Sequence, residues 1–145
     1  MRTPARIAGH PIHPMLVTIP IGLWVFSFAC DLIALRAGDP STWVTVALYC
    51  MVGGCVGAAL AAIPGVVDFL SLDDASTRRT ALTHMAINVT VLTLFIVNAV
   101  LRGQQAIEHG TSLIMSGAGI ALLAISVWLG GKMVYEKGVG VHVGG

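Results

Sequence analysis

Two histidines near the N-terminus are the first residues whose type and spacing could do chemistry. His10 and His13 stand in the segment Gly9–Pro14, and each is followed by proline. Proline pushes the residue before it toward extended geometry, so both imidazoles are expected on a stiff segment with little freedom. Imidazole nitrogens bind transition metals and haem iron. The motif therefore favours a ligand site where the first helix begins.

A third histidine lies on a later segment beside an asparagine. His84 and Asn88 are four residues apart, so they share one face if the segment is helical. An ionisable side chain inside a membrane is a functional candidate that needs a partner. We expect the partner of His84 to be His13 or His10.

The site hypothesis gathers these residues at one end of the protein. The expected cofactor ligands are His10, His13 and His84. A metal ion would add the carboxylate of Asp68, and three imidazoles with one carboxylate suit Zn, Cu or Fe. Haem b is the other candidate cofactor, and a protein without a cofactor is an equal alternative. The residues expected to support the ligands are Asn88, His142 and Glu136.

Membrane-spanning helices must position these side chains. Lys, Arg, Asp and Glu are absent from four stretches, residues 7–30, 40–67, 80–101 and 109–131. Each stretch reaches the roughly 20 apolar residues that cross a hydrocarbon core about 30 Å thick. We predict one membrane domain, 1–145, with helices near 14–35, 42–67, 81–101 and 111–133.

The links between the predicted helices are short, which places consecutive helices side by side and antiparallel. The predicted fold is an all-α integral membrane protein, an up-down-up-down bundle of four transmembrane helices. Six of the eight Lys and Arg residues would lie on the side of the termini, and only Arg36 and Arg102 on the other. The positive-inside rule then puts both termini in the cytoplasm.

The composition supports this class and excludes others. Hydrophobic residues make up 56% of the chain and charged residues 10%, against about 25% charged in soluble domains. A net charge of +1 without a basic stripe argues against nucleic acid as a partner and leaves the lipid bilayer. Nothing indicates an enzyme, because the chain has no P-loop, H-E-x-x-H or dinucleotide fingerprint. The three cysteines form no C-x-x-C motif, so covalent haem and thiolate zinc are not indicated.

Small residues at a spacing of four form a stripe on the second predicted helix. The stripe consists of Gly53, Gly57, Ala61 and Gly65. Small residues let helix backbones approach closely in lipid. The stripe predicts either a homodimer interface or a contact inside its own bundle. Pro64 beside it is expected to kink the helix or to end it early.

Asp31 belongs to the opposite end of the first helix. At 1.5 Å per residue it lies about 27 Å from His13, so it cannot share the histidine site. We expect Asn98 and Arg36 to be its partners.

Several motifs together have the pattern of a known family. They are Gly9–Pro14, Ile19–Gly22, Asp31, Gly65–Asp68, the pair His84/Asn88 and the tail Trp128–Val141. Nearly the whole chain thus resembles the bacterial predicted membrane proteins grouped as domain of unknown function number 2231. The resemblance implies a small four-helix membrane domain. Members of that group are sometimes joined to Rieske-type or cytochrome domains, which favours a redox role and a redox protein partner.

Three functions remain open. In the first, the chain is a redox or electron-transfer subunit that binds b-type haem or a metal ion. In the second, it is a structural or interaction protein whose histidines are hydrogen-bonded staples. In the third, it is a component of proton or small-solute transport, although charged residues near the midplane are missing from all four helices.

Overall fold

Four long helical segments carry the apolar stretches. The structure, a computed structural model, describes residues 3–141. Four segments are each long and apolar enough to span a membrane, and the first is built from two helices. The helices are α1 (Ile12–Leu16), α2 (Thr18–Ala34), α3 (Ser41–Leu70), α4 (Ala75–Gly103) and α5 (His109–Tyr135). The predicted fold class, an all-α protein with four membrane-spanning helices, is confirmed.

Proline interrupts the hydrogen-bond ladder of the first span. Pro20 has no N–H, so the carbonyl of Leu16 lacks its usual helical donor. Val17, between α1 and α2, keeps right-handed helical backbone angles (φ −64°, ψ −19°), so only the hydrogen-bond ladder is interrupted there. Helical bonding resumes where the Ile21 amide donates to the Val17 carbonyl at 3.2 Å. The short α1, which carries His13, therefore continues into the main helix as one span, Ile12–Ala34.

Pro64 does not end the helix that contains it. α3 continues through Pro64 to Leu70, so of the two expected effects of the proline, a kink or an early end, the early end does not occur. Proline is tolerated in membrane helices when neighbouring groups satisfy the carbonyls around it. Here His13 donates from Nδ1 to the Ala61 carbonyl, three residues before the proline, at 2.8 Å.

Asp74 explains why α4 begins earlier than the predicted residue 81. Its carboxylate accepts the Thr77 amide at 2.7 Å and the Thr77 hydroxyl at 2.6 Å. An acceptor at this position satisfies amides that the first turn of a helix leaves unpaired. The Thr77 hydroxyl, and then the Thr77 amide, lower the pKa of the Asp74 carboxyl from its ordinary value. The helix therefore starts with the polar residues at Ala75 rather than with the apolar run.

The helices pack as two hairpins that close into a ring. α2 packs on α3 to form the first hairpin, and α4 packs on α5 to form the second. α3 also packs on α4, and α5 packs on α2. Between the hairpins the rings of Trp24 and Phe95 stack in parallel, with centroids 4.5 Å apart. These two rings are the centre of the buried core, together with Met51, Val91 and Leu123.

A small β-hairpin precedes the bundle, and the sequence pattern had indicated only an extended segment there. β1 (Arg6–Ile7) pairs with β2 (His10–Pro11) in antiparallel register. The turn between them places Ala8 and Gly9 at positive φ, +48° and +82°. Two consecutive residues in this region are typical of the tight turns that match the twist of a β-hairpin.

Two hydrogen bonds tie the β-hairpin to the rest of the protein. The amide of Ala5 donates to the carboxylate of Asp68 at 2.9 Å. The guanidinium of Arg6 donates to the carbonyl of Gly140 at 2.6 Å. Both ends of the described chain therefore meet at one end of the bundle, which we call the terminal end. The opposite end, where α2 joins α3 and α4 joins α5, is the loop end.

The small-residue stripe is covered by the chain's own first span. A Cβ on Gly53 would lie 3.2 Å from Leu23, and one on Gly57 would lie 3.0 Å from Ile19. Ala61 is buried, and a Cβ on Gly65 would lie 2.8 Å from a ring nitrogen of the nearby histidine of α1. These residues therefore serve a contact inside the bundle. A homodimer, the other predicted use of the stripe, stays a prediction.

Asp31 forms a buried ion pair at the loop end. It is fully buried, and the Arg102 side chain is 7% exposed. Nη2 of Arg102 donates to both carboxylate oxygens at 2.9 Å. The predicted partners are wrong, because Arg36 is exposed beyond the end of α2 and the Asn98 amide donates instead to the Ser112 carbonyl. Arg102 lies on α4 with its side chain inside the bundle, where it contacts the Asp31 carboxylate directly.

The two hairpins repeat one set of contacts. Side chains of the first span have counterparts 71 positions later in the pairs His13/His84, Trp24/Phe95, Ser27/Asn98 and Asp31/Arg102. The residues that they contact on the next helix repeat 65 positions later in the pairs Ala61/Ser126, Gly54/Gly119 and Ala47/Ser112. In three of the pairs 71 positions apart, His13/His84, Trp24/Phe95 and Asp31/Arg102, the two residues also contact each other across the boundary between the hairpins. Equivalent residues that face each other are the mark of an isologous, twofold arrangement.

Candidate functional site

His13 is held against α3 by one hydrogen bond and one glycine. Its Nδ1 lies 2.8 Å from the carbonyl oxygen of Ala61. A carbonyl can only accept, so Nδ1 carries a proton, and the nitrogen that the neutral ring offers to a ligand is Nε2. A Cβ on Gly65 would lie 2.8 Å from Nδ1, so the ring reaches this depth only because residue 65 has no side chain. No hydrogen bond to Nε2 forms within the described residues.

His84 is held against α5 in the same manner. Its Nδ1 donates to the Ser126 carbonyl at 2.9 Å, and a Cβ on Gly130 would lie 3.4 Å from the ring. Its Nε2 accepts the side-chain amide of Asn88 at 2.9 Å. The hydroxyl of Ser126 in turn donates to the Asn88 carbonyl oxygen at 2.9 Å. With the proton of the ring on Nδ1, every donor in this network meets an acceptor.

The two imidazole rings face each other across the boundary between the hairpins. Their centroids are 6.4 Å apart and their planes are almost perpendicular, at 88°. His13 belongs to the first hairpin and His84 to the second. Each ring is fixed by a backbone carbonyl through Nδ1; Nε2 of His13 has no hydrogen bond among the described residues, whereas Nε2 of His84 already accepts from Asn88. A histidine whose other nitrogen donates to a carbonyl is the usual arrangement at metal and haem sites.

A cavity of about 400 Å³ lies beside the two rings. All four spans line it, and its wall is formed mainly by apolar side chains from the level of Trp24 to the terminal end. The exceptions are few side chains that carry polar atoms: Thr3, His13, Asp68, His84, Asn88 and Ser126. A largely apolar cavity with a small set of convergent polar groups is the usual form of a small-molecule site.

Two buried polar atoms at the terminal end have no partner. Thr3 is 4% exposed and lines the cavity. Its hydroxyl, and Nε of the neighbouring Arg6, form no hydrogen bond within residues 3–141. An unpaired buried polar atom costs about 1–3 kcal/mol. The Thr3 hydroxyl, which lines the cavity, therefore offers a hydrogen bond to a polar group bound there.

The other predicted site residues lie apart from this pair. His10 is exposed, and its Nδ1 donates to the Ala8 carbonyl at 3.0 Å. Asp68 lines the cavity, but its hydrogen bond goes to a backbone amide of the N-terminal segment and not to an imidazole. Glu136 is 62% exposed and its carboxylate lies 3.7 Å from Lys132. His142 lies outside the described residues. Among residues 3–141, no group of three or more His, Cys, Asp or Glu side chains is placed to hold a metal ion.

Sequence reasoning missed the groups that orient the two rings. Ala61 and Ser126 act through backbone carbonyls, and Gly65 and Gly130 act through the absence of a side chain. A signal for them exists in the sequence. The spacing Gly-x6-Ala/Ser-x3-Gly occurs at Gly54 and again at Gly119, and an aromatic residue follows each of the two histidines by eleven positions.

A family model described as "Predicted membrane protein (DUF2231)" matches residues 9–143 of the chain. The match spans both hairpins and both histidines of the pair. No match was found among curated proteins or among solved structures.

Proposed function

This chain belongs to the DUF2231 family of predicted membrane proteins, and on that premise we propose that it is a membrane redox protein that binds b-type haem. His13 and His84 are the proposed axial ligands, one from each hairpin. The proposal makes the chain an electron-transfer subunit in a bacterial inner membrane. It implies a redox protein partner at the terminal end, where the paired histidines lie.

The distance between the two rings is the observation that carries this proposal. Imidazole nitrogens bind a metal at about 2 Å, so two rings on opposite sides of one metal have centroids about 6 Å apart. The centroids of His13 and His84 are 6.4 Å apart. Because the rings belong to different hairpins, a planar ligand between them would lie in the hairpin boundary, beside the apolar cavity.

The number of protein ligands favours haem over a lone metal ion. A structural zinc ion takes four protein ligands, and a catalytic one takes three. His10 and Asp68 are engaged elsewhere, which leaves two imidazoles. Haem supplies four nitrogens from its own ring and needs only axial ligands from the protein. The two-histidine site therefore fits haem better than the predicted ligand set of three histidines and Asp68.

The polar atoms around the cavity fit the two ends of this ligand. The apolar wall near Trp24 suits the hydrocarbon edge of a porphyrin. The unpaired hydroxyl of Thr3, which lines the cavity at the terminal end, suits an acidic group of the ligand. Asn88 must release Nε2 of His84 when iron binds, which exchanges one neutral hydrogen bond for a metal–ligand bond. Such a hydrogen bond contributes only about 1 kcal/mol.

Absorption spectra of the purified protein test the proposal. Protein produced with a haem precursor and extracted in mild detergent should show a Soret band and the narrow visible bands of six-coordinate haem. His13→Ala and His84→Ala should each lose the six-coordinate spectrum. His10→Ala is the matched control, because His10 is exposed and hydrogen-bonds only to its own turn.

Two other outcomes would contradict haem binding, and each names an alternative. Elemental analysis that finds stoichiometric Zn or Cu without a Soret band would support a lone metal ion. Protein with neither haem nor metal, whose stability nevertheless falls in His13→Ala and His84→Ala, would support the structural role. In that role the histidines are staples that join neighbouring helices.

We also propose that the terminal end faces the cytoplasm. Most Lys and Arg residues are at this end, including Arg78, Arg79, Lys132 and Lys137, and cytoplasmic ends carry such an excess. Alkaline phosphatase fused after Gly145 should therefore be inactive, because it folds only in the periplasm. Green fluorescent protein at the same site should fluoresce. If the phosphatase fusion is active and the green fluorescent protein fusion does not fluoresce, the terminal end faces the periplasm instead.

A further inference from the structure

The cavity reaches the outside of the bundle within the membrane-spanning segments. Ala62 and Val66 of α3 and Val89 of α4 line it, and all three side chains are exposed. α3 and α4 pack on each other at a boundary between the two hairpins. Both are apolar spans, so the medium outside them at this depth is lipid. The cavity is therefore open toward the bilayer between α3 and α4.

The N-terminal segment and the tail cover the same cavity at the terminal end. Thr3 and Gly140 are buried and line it, together with Pro11 and Val139. The guanidinium of Arg6 joins the two segments by donating to the Gly140 carbonyl at 2.6 Å. Access from water is thus covered where access from lipid is open.

The interior of the cavity suits hydrocarbon better than water. The polar groups of His84, Asn88 and Ser126 already hydrogen-bond to one another or to a backbone carbonyl. A buried water molecule needs about two to four polar partners, and the rest of the wall is mainly apolar. An unfilled space would deprive that wall of packing contacts. An apolar chain from the neighbouring lipid supplies these contacts without leaving a hydrocarbon environment.

Polar groups for a lipid headgroup lie at the terminal end of the cavity. The Thr3 hydroxyl lines the cavity, is buried and has no hydrogen-bond partner within residues 3–141. The guanidinium of Arg78, on α4, lies 5.1 Å from the ring of Phe69, a cavity-lining residue of α3. A hydroxyl donor and a positive charge therefore stand where the chain of a lipid would end in its ester and phosphate groups.

We propose that, in the protein without haem, this cavity holds one acyl chain of a membrane phospholipid, which enters between α3 and α4. The Thr3 hydroxyl donates to the ester carbonyl of that chain, and Arg78 faces the phosphate. Ester groups lie where the hydrocarbon core of a bilayer meets its headgroup region, the level at which the spans end. The inference goes beyond the proposed function and does not require haem.

Tryptophan fluorescence in vesicles tests whether a chain enters the cavity. Trp43→Phe combined with Trp128→Phe leaves Trp24, which lines the cavity and is only 3% exposed. Bromine quenches an indole ring that it contacts. Haem-free protein with Trp24 alone should therefore lose fluorescence in phosphatidylcholine vesicles with brominated acyl chains, relative to vesicles of unbrominated phosphatidylcholine. Trp24→Phe combined with Trp43→Phe leaves the exposed Trp128 and measures the quenching that full lipid contact produces.

Two variants of the opening show where the chain enters. Ala62→Phe and Val89→Phe each narrow the opening from a different helix, so both should protect Trp24 from quenching. Ala86→Phe is the matched control for Ala62→Phe, because Ala86 is an exposed alanine of α4 that does not line the cavity. It should leave the quenching of Trp24 unchanged.

Native mass spectrometry of the detergent-purified protein tests the headgroup contacts and identifies the occupant. The wild type should retain one phospholipid. Thr3→Val should weaken this retention about fivefold, the size of one hydrogen bond. Arg78→Gln should weaken it in the same direction. Arg79→Gln, which changes the exposed neighbouring arginine, should match the wild type.

Each result supports or overturns a stated part of the proposal. Equal fluorescence of Trp24 in the two kinds of vesicle would overturn the presence of a chain. Quenching that persists in both Ala62→Phe and Val89→Phe, or an equal loss in Ala86→Phe, would overturn entry between α3 and α4. A retained isoprenoid quinone in place of a phospholipid would overturn the acyl chain as the occupant. None of these measurements uses the Soret band, so haem binding succeeds or fails separately.

Discussion

Arg102→Met should lower the free energy of unfolding by about 3–5 kcal/mol, the usual cost of removing one partner of a buried ion pair. The carboxylate of Asp31 is fully buried, and both of its oxygens accept from Nη2 of Arg102. The same guanidinium donates from Nε to the Ser112 hydroxyl at 2.9 Å. Without it, Asp31 would be an uncompensated charge in the bundle. Thermal unfolding in detergent, followed by circular dichroism, measures the loss.

Two variants show whether the loss comes from the orphaned charge. Asp31→Asn combined with Arg102→Met removes both charges, and replacing a buried ion pair by neutral residues is often tolerated. The double variant should therefore recover more than half of the lost stability. Arg36→Met is the control, because Arg36 is exposed and was the partner expected from the sequence. Equal unfolding temperatures for Arg102→Met and the wild type would contradict the stabilising role of this pair.

Gly65→Ala should abolish the proposed haem binding while the helix that contains it stays intact. The added Cβ would lie 2.8 Å from Nδ1 and 2.9 Å from Cε1 of His13, closer than carbon atoms approach. The ring must move away from α3 and lose its hydrogen bond to Ala61. A displacement of this size moves Nε2 off the axis that it shares with His84. The Soret absorbance per protein is the measurement.

The contact repeat supplies a matched control for this prediction. Gly130 is the counterpart of Gly65, but a Cβ there would lie 3.4 Å from the ring of His84, an ordinary contact. Gly130→Ala should keep its chromophore. It should also gain up to about 1 kcal/mol of stability, because alanine favours helix over glycine. If Gly65→Ala and Gly130→Ala retained equal amounts of haem, the close packing of His13 on Gly65 would not matter for the site.

The four spans could be predicted from the sequence because lipid leaves few alternatives. A backbone in the hydrocarbon core must satisfy its own hydrogen bonds, so each long uncharged stretch must be helical. The ends of the helices were less accessible, because they depend on single polar contacts. α4 begins at Ala75 rather than near residue 81 because Asp74 caps it. α3 passes through Pro64 because the bundle around it accommodates the proline.

Spacing along the chain placed His13 and His84 at the same end of the bundle and excluded Asp31 from it, since distance along a helix follows from residue number. Spacing alone could not decide which polar groups touch. His10 is close to His13 in sequence, yet the β-hairpin turns it outward. Arg36 is close to Asp31 in sequence, yet Arg102 from another helix forms the ion pair. These outcomes depend on the rotation of each helix about its axis, which side-chain packing determines.

The sequence by itself therefore determined the membrane class, the number of helices and the end at which the histidines lie, because hydropathy and helical rise are local properties of the chain. Only the tertiary structure decided that two imidazoles form the site, that Ala61 and Ser126 orient them, and that Asn88 distinguishes one from the other. These contacts join residues more than forty positions apart or depend on which face of α4 turns inward. They arise when two similar hairpins pack against each other, and that packing is a property of the whole bundle.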